Sequence, residues 1–269
     1  MTDVAVIVLD LDGGPWLEEC LQSIAQQSVP PRRVILFDNG SRVPTSQRVP
    51  LRAGLEMVRS EANLGFTGGV NGAFSLVEQE FVALVNSDVV LDRDWLETVA
   101  GAMQDARVAA AQTVLLRGDG QFIDGAGIEV SDGTIRQVGH GALPGAPLPE
   151  AWGVSATAAL YRRAALGERV FDPRFFAYYE DVELCARLHE SGWRTVVVPA
   201  VRGTHRGSAS AARLGSRAKY LRTRNRYFVS RLHRSVGRIG ALFREDLRLL
   251  LRGRGSIRGM IAGLCSPLS

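Results

Sequence analysis

The chain has 269 residues, 46% of them hydrophobic and 22% charged, which excludes a disordered or fibrous chain and accommodates one large α/β domain plus an extension. The formal net charge of +4 conceals an asymmetry: residues 211–269 carry 14 Lys+Arg against 2 Asp+Glu, net +12, and residues 1–210 carry 18 against 26, net −8. An acidic body with a basic tail excludes a nucleic-acid-binding core and fits an enzyme whose tail meets an anionic surface.

In chain order, Met1-Thr2-Asp3 and the apolar run Val4 to Leu9 are too short and too acidic for a signal peptide, and the run predicts a first strand. It ends in Asp10-Leu11-Asp12-Gly13-Gly14. Pro15 suits a first helical position, Glu18 and Glu19 favour a first turn, and Trp16, Leu17, Leu21 and Ile24 keep helical spacing. Val34 to Phe37 predicts a second strand, closed by Asp38-Asn39-Gly40-Ser41, and Leu55 to Val58 a third. The Gly-rich stretch Asn63 to Gly72 leads into a helix expected around Ala73 to Glu78. Phe81 to Val85 is a further apolar strand, and it delivers Asn86 and Asp88 to its C-terminal end, where an open α/β sheet places its ligand. An Asn-x-Asp at that place suggests a divalent metal carrying a phosphate. A helix follows from Trp95 to Met103. This rhythm predicts a mostly parallel, doubly wound sheet, and the unbroken apolar strands predict cover on both faces.

After Val108 to Leu116 the texture changes. Ile128 to Ile135 carries the hairpin signal Asp132-Gly133, and Gln137 to Pro149 reads as an exposed Gly/Pro loop able to serve as a lid. Val154 to Tyr161 predicts another strand, Glu180 to Ser191 a helix stopped by Gly192, and Thr195 to Val198 a last strand ended by Pro199. Cys20, Cys185 and Cys265 are isolated and odd in number, which points to a reducing cytosol, and no apolar run reaches the ~18 residues of a bilayer span. The organisation expected is a catalytic domain over residues 1–210, with halves 1–116 and 117–210, and a basic helical extension over 211–269.

Four carboxylates stand where strands or loops hand over to helices: Asp10 or Asp12, Asp38, Asp88 and Asp181. Each alone has an ordinary reading as a cap, a turn or a first-turn acid. Three of them, however, follow successive strands on one edge of one sheet, which points to a shared site. The glycines at 65, 68, 69 and 72 match neither a dinucleotide fingerprint nor a P-loop, and imply close backbone approach or tight turns.

These stretches carry a resemblance. Asp10-Leu11-Asp12-Gly13-Gly14 resembles the Asn-x-Asn-Gly opening of the inverting glycosyltransferases of family two, GT-A fold, rhamnosyltransferase-like branch. Asp38-Asn39-Gly40-Ser41 is similar to that family's nucleotide-binding Asp-Asn-x-Ser, and Asn63 to Asn71 to its Asn-Leu-Gly-Phe-Ala-Gly-Gly-x-Asn. Leu84-Val85-Asn86-Ser87-Asp88 resembles its Leu-Asn-Pro-Asp version of the metal-binding Asp-x-Asp, and Glu180-Asp181-Val182-Glu183-Leu184 its Glu-Asp-x-Asp-Leu acceptor-side motif. Aspartates stand for the asparagines at 10 and 12, and Ser87 for the proline.

The resemblance implies transfer of a sugar, with inversion, from a nucleotide diphosphate sugar (dTDP-rhamnose or a UDP-sugar) to the hydroxyl of a glycan, a glycolipid or a small molecule. It implies that Asp38 accepts from the base or ribose, that Asp10 and Asp12 wall the base, and that Asn63, Gly69, Asn71 and Asn86 hold the donor or its loop. Asp88 is expected to bind Mg²⁺ or Mn²⁺, with His205 either completing the metal shell or bonding the loop backbone. Asp181 is the expected base, with Glu180 second in line or orienting the acceptor. Trp152, Tyr178 and Tyr179 are expected to floor the acceptor site. Two other classes share such a sheet. A nucleotidyltransferase is disfavoured by the single lysine, Lys219, and a non-catalytic module by the presence of both Asp88 and Asp181.

In the tail, Tyr220, Leu221, Tyr227, Phe228 and Leu232 share one helical face, expected to pack on the core. Ile239, Leu242, Phe243, Leu247 and Leu250, and then Ile257, Met260, Ile261 and Leu264, form two more faces set among arginines. Those two are expected to rest on anionic lipid headgroups, placing the enzyme in the cytoplasm at the inner face of the membrane.

Overall fold

The computed structural model describes residues 3–50, 52–131, 134–207, 214–252 and 256–267. Its centre is a nine-stranded sheet. Four strands form a parallel half: β1 (Val4–Asp10), β2 (Arg33–Asn39), β3 (Leu55–Ser60) and β4 (Phe81–Asn86), in the order β3-β2-β1-β4. Their apolar runs serve two faces at once. Val4, Val6 and Val8 join one core with Leu17, Cys20, Leu21 and Ile24 of α1 (Leu17–Ala25) and Trp95, Leu96 and Val99 of α3 (Trp95–Ala102). Ala5 and Ile7, pointing the other way, join a second core with Val70, Ala73 and Phe74 of α2 (Gly65–Phe74). The expected cover on both faces is present.

The parallel order stops at β4. A three-residue strand, β5 (Val89–Leu91), follows the turn at Ser87-Asp88. The long β6 (Val108–Arg117), the short β7 (Ile123–Gly125), β10 (Ala158–Arg162) and β11 (Arg194–His205) complete the sheet. Here β10 runs antiparallel to both β4 and β6, β6 and β11 run parallel, and β5 and β7 add antiparallel edges. β8 (Ile128–Ser131) and β9 (Thr134–Gln137) form a separate hairpin; its Asp132-Gly133 turn lies outside the described residues. The short α4 (Arg163–Leu166) follows β10, and α5 (Glu180–Glu190) buries Leu184, Cys185 and Leu188 against the second core.

Three boundaries differ from expectation, the first being the strand expected from Val154, which begins only at Ala158. The Gly-rich stretch is not a loop leading into a helix: it is the helix α2. Its glycines permit a close approach to the sheet, since a Cβ on Gly69 would sit 2.5 Å from Leu9 Cδ1. The last strand does not end at Pro199 but continues to His205. Register shifts between Val198 and Val201 and between Val201 and Thr204 absorb the proline, as bulges do, and bend the strand onto β5.

The tail begins with α6 (Ser216–Leu232), followed by α7 (Ile239–Leu251) and α8 (Ile257–Cys265). Phe228 and Val229 of α6 share a core with Phe175, Val182 and Ala186, so the first tail helix packs on the body as expected. α8 lies close against α6: a Cβ on Gly263 would clash with the backbone of Arg224.

Candidate active site

The C-terminal edge of the parallel half opens into a cleft of about 990 Å3, at the upper end for small-molecule sites. Parallel pairing sets Leu9 opposite both Phe37 and Asn86, so the segments after β1, β2 and β4 converge on this edge. Asp12, Asn39, Asn63, Asn86 and Asp88 line it from one side.

Asp10 and Asp38 do not. Their side chains are buried beneath the cleft in a closed network. Asp10 accepts from Thr45 Oγ1 at 2.6 Å, Arg48 Nη2 at 2.5 Å and the backbone of Gly13 at 3.0 Å. Asp38 accepts from the backbone N–H groups of Ser41 at 2.8 Å and Thr45 at 2.9 Å and from Arg59. Burial alone would raise the Asp38 pKa, but those bonds outweigh it and hold it at about 2. The neighbour Asn39 reaches the cleft, its amide bonding Gly65 O at 3.0 Å and its carbonyl accepting from Leu64 N at 3.1 Å. Asp12 lines the cleft in the left-handed conformation (φ 58°) and accepts from Arg42 N at 2.7 Å.

Gly69 and Asn71 are likewise away from the cleft wall. Gly69 serves the packing of α2 on Leu9 and Asn39. The Asn71 side chain clips a distant loop: it accepts from Val170 N at 3.1 Å and Phe171 N at 3.0 Å and donates to Phe171 O at 2.8 Å. Asn63 caps the start of α2 by accepting from Gly65 N at 2.8 Å.

Beside the Asn86–Asp88 turn, antiparallel pairing of β11 on β5 sets His205 opposite Val89, and His205 Nε2 lies 3.2 Å from Asp88 Oδ1. Its other ring nitrogen, Nδ1, is 2.7 Å from Asp124 Oδ2 on β7. Burial would lower the His205 pKa; the bonds to Asp124 and Asp88 outweigh it and push it up to about 9. Among the described residues no three His, Cys, Asp or Glu side chains gather as a metal group. The donor types nevertheless fit a divalent ion held by two protein atoms, Asp88 Oδ1 and His205 Nε2, with phosphate and water supplying the rest. Asp124 then stands where a ligating imidazole places its supporting carboxylate.

The opposite wall is the start of α5. Glu180 is buried and Asp181 half-buried, and both line the cleft. Asp181 accepts from Val182 N at 2.9 Å and Ala156 N at 3.4 Å, yet burial dominates and raises its pKa. Burial and the Asp181 charge push Glu180 up to about 8. A helix N-terminus favours ionised acids, but here desolvation outweighs it. The approach to α5 is strained: Phe176, Tyr178 and Tyr179 all have positive φ, at 64°, 72° and 67°. Asn225 of α6, fully buried, holds that loop by donating to the carbonyls of Phe175, Ala177 and Tyr178 at 2.8 to 2.9 Å.

Tyr178 and Tyr179 line the cleft, joined by Phe66 and Phe176. Trp152 does not. Its ring packs edge-on to His189, with centroids 4.9 Å apart, because the β8 segment anchors its backbone at Ile128 O (2.7 Å). Gln137 at the end of β9 and His140 of the Gly/Pro loop form part of the wall, with His140 Nδ1 2.7 Å from Asp124 O.

A mixed sheet with an acidic cleft at its C-terminal edge, continued onto a second acidic wall, is the architecture of a GT-A glycosyltransferase. Residues 5–170 match the model of Glycosyl transferase family 2, and the chain belongs to that family. It is 28% identical, over 96% of its length and 92% of the relative's, to the N-acetylglucosaminyl-diphospho-decaprenol L-rhamnosyltransferase of Mycobacterium tuberculosis. Among solved structures it resembles S. aureus TarS in complex with UDP-GlcNAc (TM-score 0.61, 19% identity, 92% of this chain and 67% of that one). It also resembles the mannosyltransferase PcManGT of Pyrobaculum calidifontis in complex with GDP-Man and Mn²⁺ (TM-score 0.60, 17% identity, 84% of this chain and 63% of that one). The protein is thus a glycosyltransferase, similar to rhamnosyltransferases.

Proposed function

We propose that the cleft transfers a sugar, with inversion, from a nucleotide diphosphate sugar to a hydroxyl of a polyprenyl-diphosphate-linked sugar. dTDP-rhamnose is the leading donor, in keeping with the activity named for the M. tuberculosis relative. The reading rests above all on one observation: Asp88, in the turn after β4, and Asp181, at the start of α5, line one cleft.

On the donor wall Asn63 and Asn86 supply neutral donors and acceptors for the nucleotide, Asn39 holds the start of α2 beside them, and Asp12 borders them. Asp88 and His205 would hold Mg²⁺ or Mn²⁺, which supplies charge neutralisation for the departing diphosphate. On the other wall Asp181 takes the proton from the acceptor hydroxyl as its oxygen attacks the sugar carbon. Its raised pKa makes it a stronger base than an exposed carboxylate. Glu180, protonated at neutral pH, is left able to donate a hydrogen bond to the acceptor. Tyr178 and Tyr179 offer the acceptor sugar aromatic surface.

The same reading assigns α7 and α8 to the membrane surface at its cytoplasmic face. Leu242 and Met260, expected on these faces, are instead buried with Tyr227, and Leu250 packs against them; Ile239, Phe243, Leu247 and Leu251 form an exposed row at i, i+4 spacing on α7, and Ile257, Ile261 and Leu264 are exposed on α8. Arg244, Arg248, Arg252 and Arg258 accompany them, a pattern suited to anionic headgroups. No helix among the described residues is long and apolar enough to cross a membrane.

The test is a thermal-shift panel of nucleoside diphosphates with Mg²⁺ and Mn²⁺. A ligand at a hundred times its Kd stabilises by about 2.7 kcal/mol, so dTDP or UDP should raise Tm only when a divalent ion is present. A panel in which none shifts Tm would overturn the reading.

A further inference from the structure

The cleft continues past Tyr179. Tyr179 and Arg222 line both the main cleft and a second pocket of about 420 Å3, whose other walls include Lys219, Thr223, Arg226 and Leu249. Ala218, Arg222 and Arg226 recur every four residues, with Lys219 and Thr223 one residue on, so a single face of α6 supplies three cations. Among the described residues no carboxylate lines this pocket, although Glu180 and Asp181 stand directly beyond Tyr179.

The cations are not equivalent. Arg226 is buried and compensated by Glu245 at 3.0 Å and by Asp246, but its Nε is buried without a hydrogen-bond partner. Arg222 makes no ion pair among the described residues, and its guanidinium rests 4.5 Å from the centroid of the Tyr178 ring. An exposed guanidinium held by an aromatic face, beside a lysine and an unpartnered buried N–H, suits an anion with several oxygens.

We propose that the pocket beyond Tyr179 binds the phosphate or diphosphate carried by the acceptor sugar. This deepens the reading of the cleft as a sugar-transfer site and rests on it. An acceptor hydroxyl that reaches Asp181 leaves the far side of its sugar at Tyr179, where the second pocket begins. The donor's diphosphate lies instead on the Asp88 wall. Leu249 brings α7 to the pocket, so a lipid attached to the phosphate meets the helix that carries the exposed apolar row.

The experiment compares the full chain with its K219Q/R222Q variant on two acceptors bearing one sugar, a short-chain prenyl diphosphate and an uncharged octyl glycoside. The wild type should favour the diphosphate in kcat/KM, and the variant should lower that preference by ~10-fold or more, as expected when charged hydrogen bonds are lost. K219R/R222K should retain most of it. An unchanged preference, or equal losses on both acceptors, overturns the proposal. Vesicles of phosphatidylglycerol form a second arm: if K219Q/R222Q loses sedimentation with them while keeping its acceptor preference, the cations read lipid headgroups and the proposal fails. A third arm titrates inorganic pyrophosphate into protein saturated with nucleoside diphosphate, by calorimetry. Binding that disappears in K219Q/R222Q supports the pocket, and binding unaltered by the variant refutes it. This arm does not need turnover, so failure of the transfer reading and failure of the pocket are told apart.

Discussion

Replacing Asp38 by Asn separates a structural role for this carboxylate from a donor-binding one. In the folded chain it accepts two backbone N–H groups and faces Arg59, and its pKa falls to about 2 from a reference of 3.8. At 1.36 kcal/mol per unit such a shift approaches ~2.5 kcal/mol. The Arg59 side chain is 32% exposed, so solvent screens part of the ion pair and ~1–2 kcal/mol is the expected loss. For a chain of this size that lowers Tm by roughly 2–8 °C. The sign follows from the depressed pKa: the stabilisation is present above the unfolded value of 3.8 and lost as pH falls towards 2. The gap between wild type and D38N should therefore be full at neutral pH and narrow in acid. Thermal unfolding followed by circular dichroism across that range measures it, alongside the donor KM. A variant with unchanged Tm and a raised donor KM would refute the reasoning, because Asp38 would then face the nucleotide.

Glu180 gives the opposite pH dependence. Its raised pKa contributes stability below the unfolded value of 4.5, lost as pH rises through about 8. E180Q should thus gain in Tm relative to wild type between pH 5 and pH 9, and parallel profiles would exclude a buried, protonated Glu180. On α7, Phe243 and Leu247 are about half exposed. F243E/L247E should keep the wild-type Tm and lose sedimentation with anionic vesicles; retained binding would remove α7 from the membrane contact.

The parallel half of the fold was legible because its strands are unbroken apolar runs ending in acids, and both signals are local. The antiparallel insertion of β10, the short β5 and β7, and the passage of β11 through Pro199 depend on pairing between distant segments. The helix α2 was hidden because its glycines oppose helix propensity, and packing against Leu9 and Asn39 overrides that preference. At the site, a strand-end acid looks the same whether it lines the cleft, as Asp88 does, or is buried beneath it against an arginine, as Asp10 and Asp38 are by Arg48 and Arg59. Asp124 stood in no motif and reaches His205 only because β7 pairs with β6. Asn225 lay in a helix read for its apolar face, yet it braces the strained loop ahead of Asp181.

The most direct test of the central claim measures transfer and Mn²⁺-dependent binding of the nucleoside diphosphate in D88N and D181N side by side. Loss of the positioned base in D181N should reduce transfer by ~10²–10⁴-fold and leave nucleotide binding at the wild-type level. D88N should lose both. Full transfer in either variant, or undiminished metal-dependent binding in D88N, would contradict the division of labour between the two walls of the cleft.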